Sequence, residues 1–241
     1  MIIDDIMHVD YWQESGGEYH EGRAKEIIQM MDDAGINKAV ICTTWMPSRK
    51  SNNITLEVYQ KYPNRFIPFG HVRPVDCEAE NELKRIGKEL RWKGLKLHQG
   101  EFPFPMMESL KSIIKKAEEL EIRICLLHCE NLKIVNELTQ QFPNVTFILA
   151  HLGCYSNIGL LDEFCSLARK RDNIYLDTSA VHQYYKIGDA VKMAGANKIT
   201  FGSDGCVFSP LVELTKIKAL KLSKEQEELI LGKNISRILR L

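Results

Sequence analysis

Four short segments of the chain carry an apolar run straight into an ionisable residue. They are KGLKLH at 93–98, IRICLLH at 122–128, VTFILAH at 145–151 and KITFGSD at 198–204. They deliver His98, His128, His151 and Asp204, and a loop or helix pattern follows each. Imidazoles and a carboxylate arriving together suit a metal-assisted site. They can ligate a divalent ion, and an open coordination position lets that ion lower the pKa of bound water toward ~7. A parallel strand buried on both faces reads as such a continuous apolar run. Its carboxyl end is where (β/α)8 barrels keep their reactive groups.

Residues just short of these ends extend the set. Lys96 and His98 lie two apart, so an extended strand turns both the same way, and His71 with Arg73 repeats that spacing before Pro74. A lysine, an imidazole and a planar guanidinium suit contact with an anionic group, above all a carboxylate. Trp12 and Trp45 follow the first two strand-like runs and are candidates to wall the mouth of a site. His182, Tyr184 and Tyr185 stand in the same relation to the seventh.

The elements that must position these groups alternate from end to end. Strand-like runs fall at about 2–7, 38–43, 66–72, 94–98, 122–128, 145–151, 174–177 and 199–203. Helical patterns lie between them at 22–34, 79–90, 107–120, 132–141, 159–169 and 187–194. Gly35 and Gly195 follow helical stripes as cap candidates, and Pro63 and Pro143 close helices ahead of the next strand. The stretch 223–241 reads as two short helices broken at Gly232. Alternating strands and helices imply a parallel sheet. An open doubly wound sheet satisfies the same alternation, but eight strands ending in polar groups at several places favour a (β/α)8 TIM barrel, one domain over 1–241.

Composition excludes several functions. Lys plus Arg number 32, as do Asp plus Glu, so no basic field calls for nucleic acid or an anionic membrane. No apolar run reaches membrane-spanning length, and the amino terminus lacks a signal pattern. The seven cysteines are odd in number, scattered and without C-x-x-C spacing, which points to reduced thiols and a cytoplasmic setting. The expected partner is a small, acidic molecule. The pattern leaves a homo-oligomer open.

The segments IIDDIMH, GLKLH, CLLHCE, ILAHLG, NIYLDTS, TFGSD and LILGKNISRILRL resemble, in order and spacing, the amidohydrolase superfamily. The closer likeness is to its amidohydrolase-related branch, which includes aminocarboxymuconate-semialdehyde decarboxylase. The resemblance spans essentially the whole chain and implies a distorted (β/α)8 barrel holding one or two divalent metals, usually zinc. It assigns His128 to the family's strand-five histidine, His151 to the strand-six histidine and Asp204 to the strand-eight aspartate. The strand-one signature Asp-x-His-x-His falls on Asp4, Ile6 and His8. Ile6 thus replaces the first ligand, leaving His8, His128 and Asp204 for one ion. Asp10 is a candidate substitute by strand alternation. In some binuclear relatives a strand-four lysine is carboxylated, and Lys96 holds that position.

The expected activity is metal-dependent hydrolysis of a small ester, amide or lactone. Asp204 would accept a proton from metal-held water, and His151 would orient or polarise the carbonyl. Arg73, Lys96 and His98 would meet an acidic substrate. The ion is expected to be zinc, with manganese, iron and cobalt compatible with the same donors. Two alternatives stand beside this reading. One is metal-dependent, non-oxidative decarboxylation of an unsaturated or aromatic acid. The other is a barrel retired from catalysis and kept as a binding protein, to which the loss at Ile6 points.

Overall fold

The computed structural model of this chain describes residues 1–9 and 21–241. Among the described residues nine parallel strand segments carry the fold: β1 (Ile3–His8), β2 (Lys38–Cys42), β3 (Phe66–Pro68), β4 (Gly70–His71), β5 (Gly94–His98), β6 (Ile124–His128), β7 (Thr146–Leu149), β8 (Ile174–Asp177) and β9 (Ile199–Thr200). The first three pair in order, as do the last six. β3 and β4 are two halves of one extended run. Its first half pairs with β2, Phe69 N donates to Ile41 O at 2.9 Å, and Gly70 then takes up register with Leu95 of β5. The ninth strand returns to the first. Asp5 N donates to Phe201 O (2.9 Å), Asp204 N to Ile6 O (3.0 Å) and His8 N to Gly205 O, with Met7 and Gly205 in a parallel bridge. The fold is thus a distorted (β/α)8 barrel of the expected class.

Alternation along each strand divides the core. Leu95, Leu97, Leu127 and Leu149 pack outward with helix residues such as Ile113, Val135 and Phe164. A separate inner cluster contains Ile6, Val40, Cys42, Phe69, Leu126 and Ile148. Lys96 and His98 alternate with the outward leucines of β5, so they face this interior. The helices run from α1 (Glu21–Asp33) through α2 (Ser48–Lys61), α3 (Ala79–Lys84), α4 (Met106–Glu119), α5 (Leu132–Gln141), α6 (Leu161–Lys170), α7 (Tyr184–Ala194), α8 (Pro210–Ala219) and α9 (Lys224–Glu228) to α10 (Asn234–Leu239). Ile235 of α10 joins the inner cluster with Ile124, at the amino end of β6 and away from the site. Among the described residues no helix is long and apolar enough to cross a membrane.

Several expectations change. The carboxyl-terminal stretch is not broken at Gly232. A π-helical turn at Leu229–Lys233 carries α9 into α10. Gly232 is small because the Met1 carbonyl oxygen occupies the place of its Cβ. β7 stops at Leu149, so His151 belongs to a following 3-10 turn rather than to the strand. β9 is shorter than 199–203 because the chain beyond Thr200 turns its hydrogen bonds to β1 and to Ile230. Two helices, α2 and α8, have no counterpart among the expected stripes. In α2 the inward face is polar. Asn52 donates to His71 O (2.9 Å) and accepts from His71 N (2.8 Å), replacing the ladder bonds that the end of β4 lacks.

Candidate active site

The carboxyl ends of the strands bring the sequence candidates together. His8 ends β1, His98 ends β5 and His128 ends β6, the last two in direct register. Their imidazoles stack with ring centroids 4.1 Å apart. His151 meets His128 edge-on at 4.8 Å. Asp204 closes the ring from the other side, with its Oδ1 3.0 Å from His8 Nε2. Trp45, on the loop after β2, covers His98 at 4.7 Å, so it does wall the mouth. Tyr155 packs on His151 at 4.9 Å. It lines a cavity of about 150 Å³ together with His151, Ser156, Ala180, His182 and Gln183. Tyr184 and Tyr185 are instead half exposed beside it. Asp10 and Trp12 lie outside the described residues.

The backbone is bent to achieve this. Trp45, His151, Leu152, Ala180 and Asp204 all hold positive φ, between 55° and 62°. For residues other than glycine that conformation costs on the order of 1–3 kcal/mol each and persists only where surrounding structure imposes it. Its concentration around one mouth is the pattern of a functional site.

Electrostatics divide the ring of groups. Burial works against a charge on His8, but the neighbouring Cys42 sulfur, at 3.9 Å from Nδ1, and Asp204 outweigh it. His8 is held well above its ordinary value. Burial likewise opposes ionisation of Asp204, yet the His8 hydrogen bond and charge keep it well below the usual carboxylate range. His98 is pushed down to about 3, first by burial and then by the charge of Lys96. The same two causes hold His128 far below the ordinary imidazole range. The mouth thus pairs a protonated His8–Asp204 couple with neutral imidazoles on β5 and β6. Beneath them Lys96 is 1% exposed and makes no hydrogen bond or ion pair with a described residue.

Other residues act as supports. His71 and Arg73 are drawn to Glu101, a buried carboxylate that the sequence reading passed over. Glu101 receives His71 Nε2 at 2.7 Å and Trp45 N at 2.8 Å, and Arg73 Nε lies 3.9 Å away. Glu130, two residues beyond His128, faces it at 3.6 Å and accepts from Ser156 N at 2.6 Å. Asp177 and Ser179 engage His151 and were likewise unmarked, although both stand in the NIYLDTS segment.

Two imidazoles and a carboxylate are the nitrogen and oxygen donors a divalent ion takes. With metal–ligand bonds of ~2 Å, neighbouring ligand atoms stand on the order of 3 Å apart, which is the spacing of His8 Nε2 and Asp204 Oδ1. The donors fit in kind. Among the described residues no three His, Cys, Asp or Glu side chains already converge on one point. A centre that includes His128 therefore requires side-chain adjustment on binding.

Comparison with known proteins agrees with this architecture. The amidohydrolase family model, Amidohydro_2, matches residues 6–241. No curated protein matches the sequence. Among solved structures the chain is similar to a putative amidohydrolase from Staphylococcus aureus, at 16% identity and TM-score 0.77, covering 100% of this chain and 99% of that one. It is similar to 5-carboxyvanillate decarboxylase from Novosphingobium aromaticivorans, complexed with manganese and 4-hydroxy-3-methoxy-5-nitrobenzoic acid. There the identity is 16% and the TM-score 0.74, over 100% and 95% of the two chains. A third is a probable 2-pyrone-4,6-dicarboxylic acid hydrolase from Acinetobacter baumannii with citric acid bound, at 17% and 0.71 over 100% and 99%. At such identities the likeness carries the fold. Membership rests on the family model, whose match runs from the strand-one position of Ile6 through Asp204 to the last residue: this chain is an enzyme of the amidohydrolase family.

Proposed function

We propose that the chain is a metal-dependent hydrolase of small carboxylic esters, amides or lactones, acting as one barrel domain with a preference for anionic substrates. One observation carries the reading: His8, His98, His128, His151 and Asp204 come from separate strand ends to one mouth above the Lys96 side chain. His8, His128 and Asp204 would hold one divalent ion, zinc before manganese, iron or cobalt, and the ion would supply a water of lowered pKa.

The chain's own groups do the rest. Asp204, kept ionised, receives the proton of the attacking water. His151 has its Nδ1 occupied by Ser179, which leaves Nε2 for the pocket. Neutral, Nε2 orients the attacking water; protonated, it polarises the carbonyl. Lys96 and His98 meet a carboxylate on the substrate from below, and Arg73 stands at the rim. Seven free cysteines suit a reducing compartment such as the cytoplasm.

A second reading is metal-dependent decarboxylation, in which Lys96 and the protonated His8 would hold a substrate carboxylate while it leaves as carbon dioxide and a proton takes its place on the carbon. One experiment separates the readings. Protein purified without chelator is analysed for metal, then assayed against ester, lactone and amide panels and against aromatic acids with carbon dioxide detection. Bound metal with hydrolysis supports the first reading, and carbon dioxide release supports the second. Protein with no divalent ion and neither activity overturns both and leaves a binding barrel.

A further inference from the structure

Beside the mouth lies a buried carboxyl cluster that the reaction above does not use. Asp5 of β1 and Asp177 of β8 are both fully buried. Their Oδ1 atoms converge on Gly202, where a Cβ would collide with each of them and with Ile6. Only a glycine lets the two carboxyls approach. They are not equivalent. Asp177 accepts from Ser179 N (2.9 Å), from His151 N (3.2 Å) and from the Ser179 hydroxyl. Neither oxygen of Asp5 accepts a well-formed hydrogen bond from a described residue, and the Thr200 hydroxyl is the side-chain donor beside it.

Two carboxylates this close in a dry interior do not both ionise. A carboxylate wants donors and a carboxylic acid supplies one, so the hydrogen-bond inventory assigns the states. Asp177, with three donors, is the anion, and Asp5, with only the poorly aligned Thr200 hydroxyl beside it, carries the proton. Burial first, and then repulsion from Asp177, hold the Asp5 carboxyl well above its ordinary value. The charged and titratable groups around the pair do not reverse this. Asp4 on β1 is itself pushed up to about 8, and Glu213 on α8 is held by Lys216 at 2.6 Å.

The anion reaches the His151 ring through Ser179. His151 Nδ1 lies 2.9 Å from the Ser179 carbonyl oxygen and 2.9 Å from its hydroxyl oxygen. A carbonyl only accepts, and the hydroxyl proton is already given to Asp177, so Nδ1 must be the protonated nitrogen. We propose that Asp5, Asp177 and Ser179 are positioning residues for His151: the proton on Asp5 keeps Asp177 ionised, and Asp177, through Ser179, fixes the Nδ1–H tautomer and turns the Nε2 lone pair to the pocket. This rests on the proposed role of His151 but makes its own structural claim. The logic parallels the aspartate that orients the histidine of a serine-protease triad, where an Asp→Asn change supplies the wrong tautomer.

The test needs neither substrate nor bound metal. Proton-coupled nitrogen NMR of the wild-type protein, with the resonance assigned by its loss in His151→Gln, reads the tautomer directly. The expected result is Nδ1–H in wild type and a shift to Nε2–H in Asp177→Asn. Infrared spectroscopy at neutral pH reads protonated carboxyls, and Asp5→Asn is expected to lose one such band. Asp4→Asn is expected to lose a different one. Wild-type His151 found as Nε2–H, or an unchanged carboxyl absorption in Asp5→Asn, overturns the proposal. If the variants fail to fold, the wild-type tautomer alone decides. A protein that shows the expected tautomer yet neither binds metal nor hydrolyses anything would sink the proposed function and leave this inference standing.

Discussion

His8 and Asp204 stand 196 positions apart in sequence, yet Nε2 of one lies 3.0 Å from Oδ1 of the other. The contact exists because β1 exchanges hydrogen bonds with the segment after β9, so the first and last strands share an edge. It also sets the condition for any metal chemistry. Nε2 of His8 must give up the proton it shares with Asp204 before it can ligate.

Metal binding should therefore release protons. Titrating zinc or manganese into weakly buffered protein is expected to acidify the solution and raise the unfolding midpoint. At free metal a hundredfold above Kd the stabilisation would be about 2.7 kcal/mol. His8→Ala should abolish both responses. An unchanged midpoint with no acidification would exclude His8 and Asp204 as ligands.

Lys96 should trade stability against affinity. Its buried ammonium has no described partner, so Lys96→Met, similar in length and uncharged, is expected to raise the urea midpoint. Binding of a small carboxylate such as benzoate should weaken at the same time. A hydrogen bond to a charged group contributes about 1.5–3 kcal/mol, which corresponds to roughly tenfold to a hundredfold in Kd. A variant less stable than wild type with unaltered carboxylate binding would remove Lys96 from the anion site.

Asp4 should make stability fall with rising pH. Its pKa is pushed from 3.8 to about 8 in the fold, chiefly by burial. Between those values the unfolded chain has already lost the proton that the folded chain retains. Stability is therefore fully present below 3.8, declines as pH rises toward 8, and levels off above it. His98, pushed down to about 3, acts oppositely below pH 6.5. Comparing wild type with Asp4→Asn isolates the first contribution, because the variant should lose the decline between pH 4 and 8. Parallel stability curves would contradict it.

Gly202 should tolerate no side chain. Gly202→Ala drives a methyl into Asp5, Asp177 and Ile6 and is expected to cost about 3 kcal/mol, the upper part of the overpacking range. Gly35→Ala offers a control, since φ of +70° there adds only conformational cost and nothing lies within 4 Å. Equal midpoints for the two variants would show that the carboxyls are not packed over Gly202.

Much of this arrangement is legible in the chain. The apolar runs leading to His98, His128 and Asp177 fix β5, β6 and β8 because a strand buried on both faces leaves no other pattern. Lys96 and His98 are turned inward by simple alternation. What escapes is whatever depends on strands meeting across the closed barrel. Nothing near Asp5 in sequence reveals Asp177, and Glu101 sits in a short turn with no periodicity. The helix α2 escapes for the opposite reason: Ser51, Asn52 and Thr55 are buried, so its inner face is polar and no apolar stripe marks it. His151 looks like a strand terminus because the preceding run is aliphatic, whereas its φ of 58° belongs to a tight turn.

The consecutive left-handed residues His151 and Leu152 have a practical consequence for mutagenesis. Alanine replacement at 151 removes the ring but keeps a backbone posture that disfavours any Cβ, whereas glycine relieves both at once. Comparing His151→Gly with His151→Ala by equilibrium melting would thus weigh the distortion separately from the imidazole. Alanine scanning alone would credit the ring with energy that resides in the peptide chain.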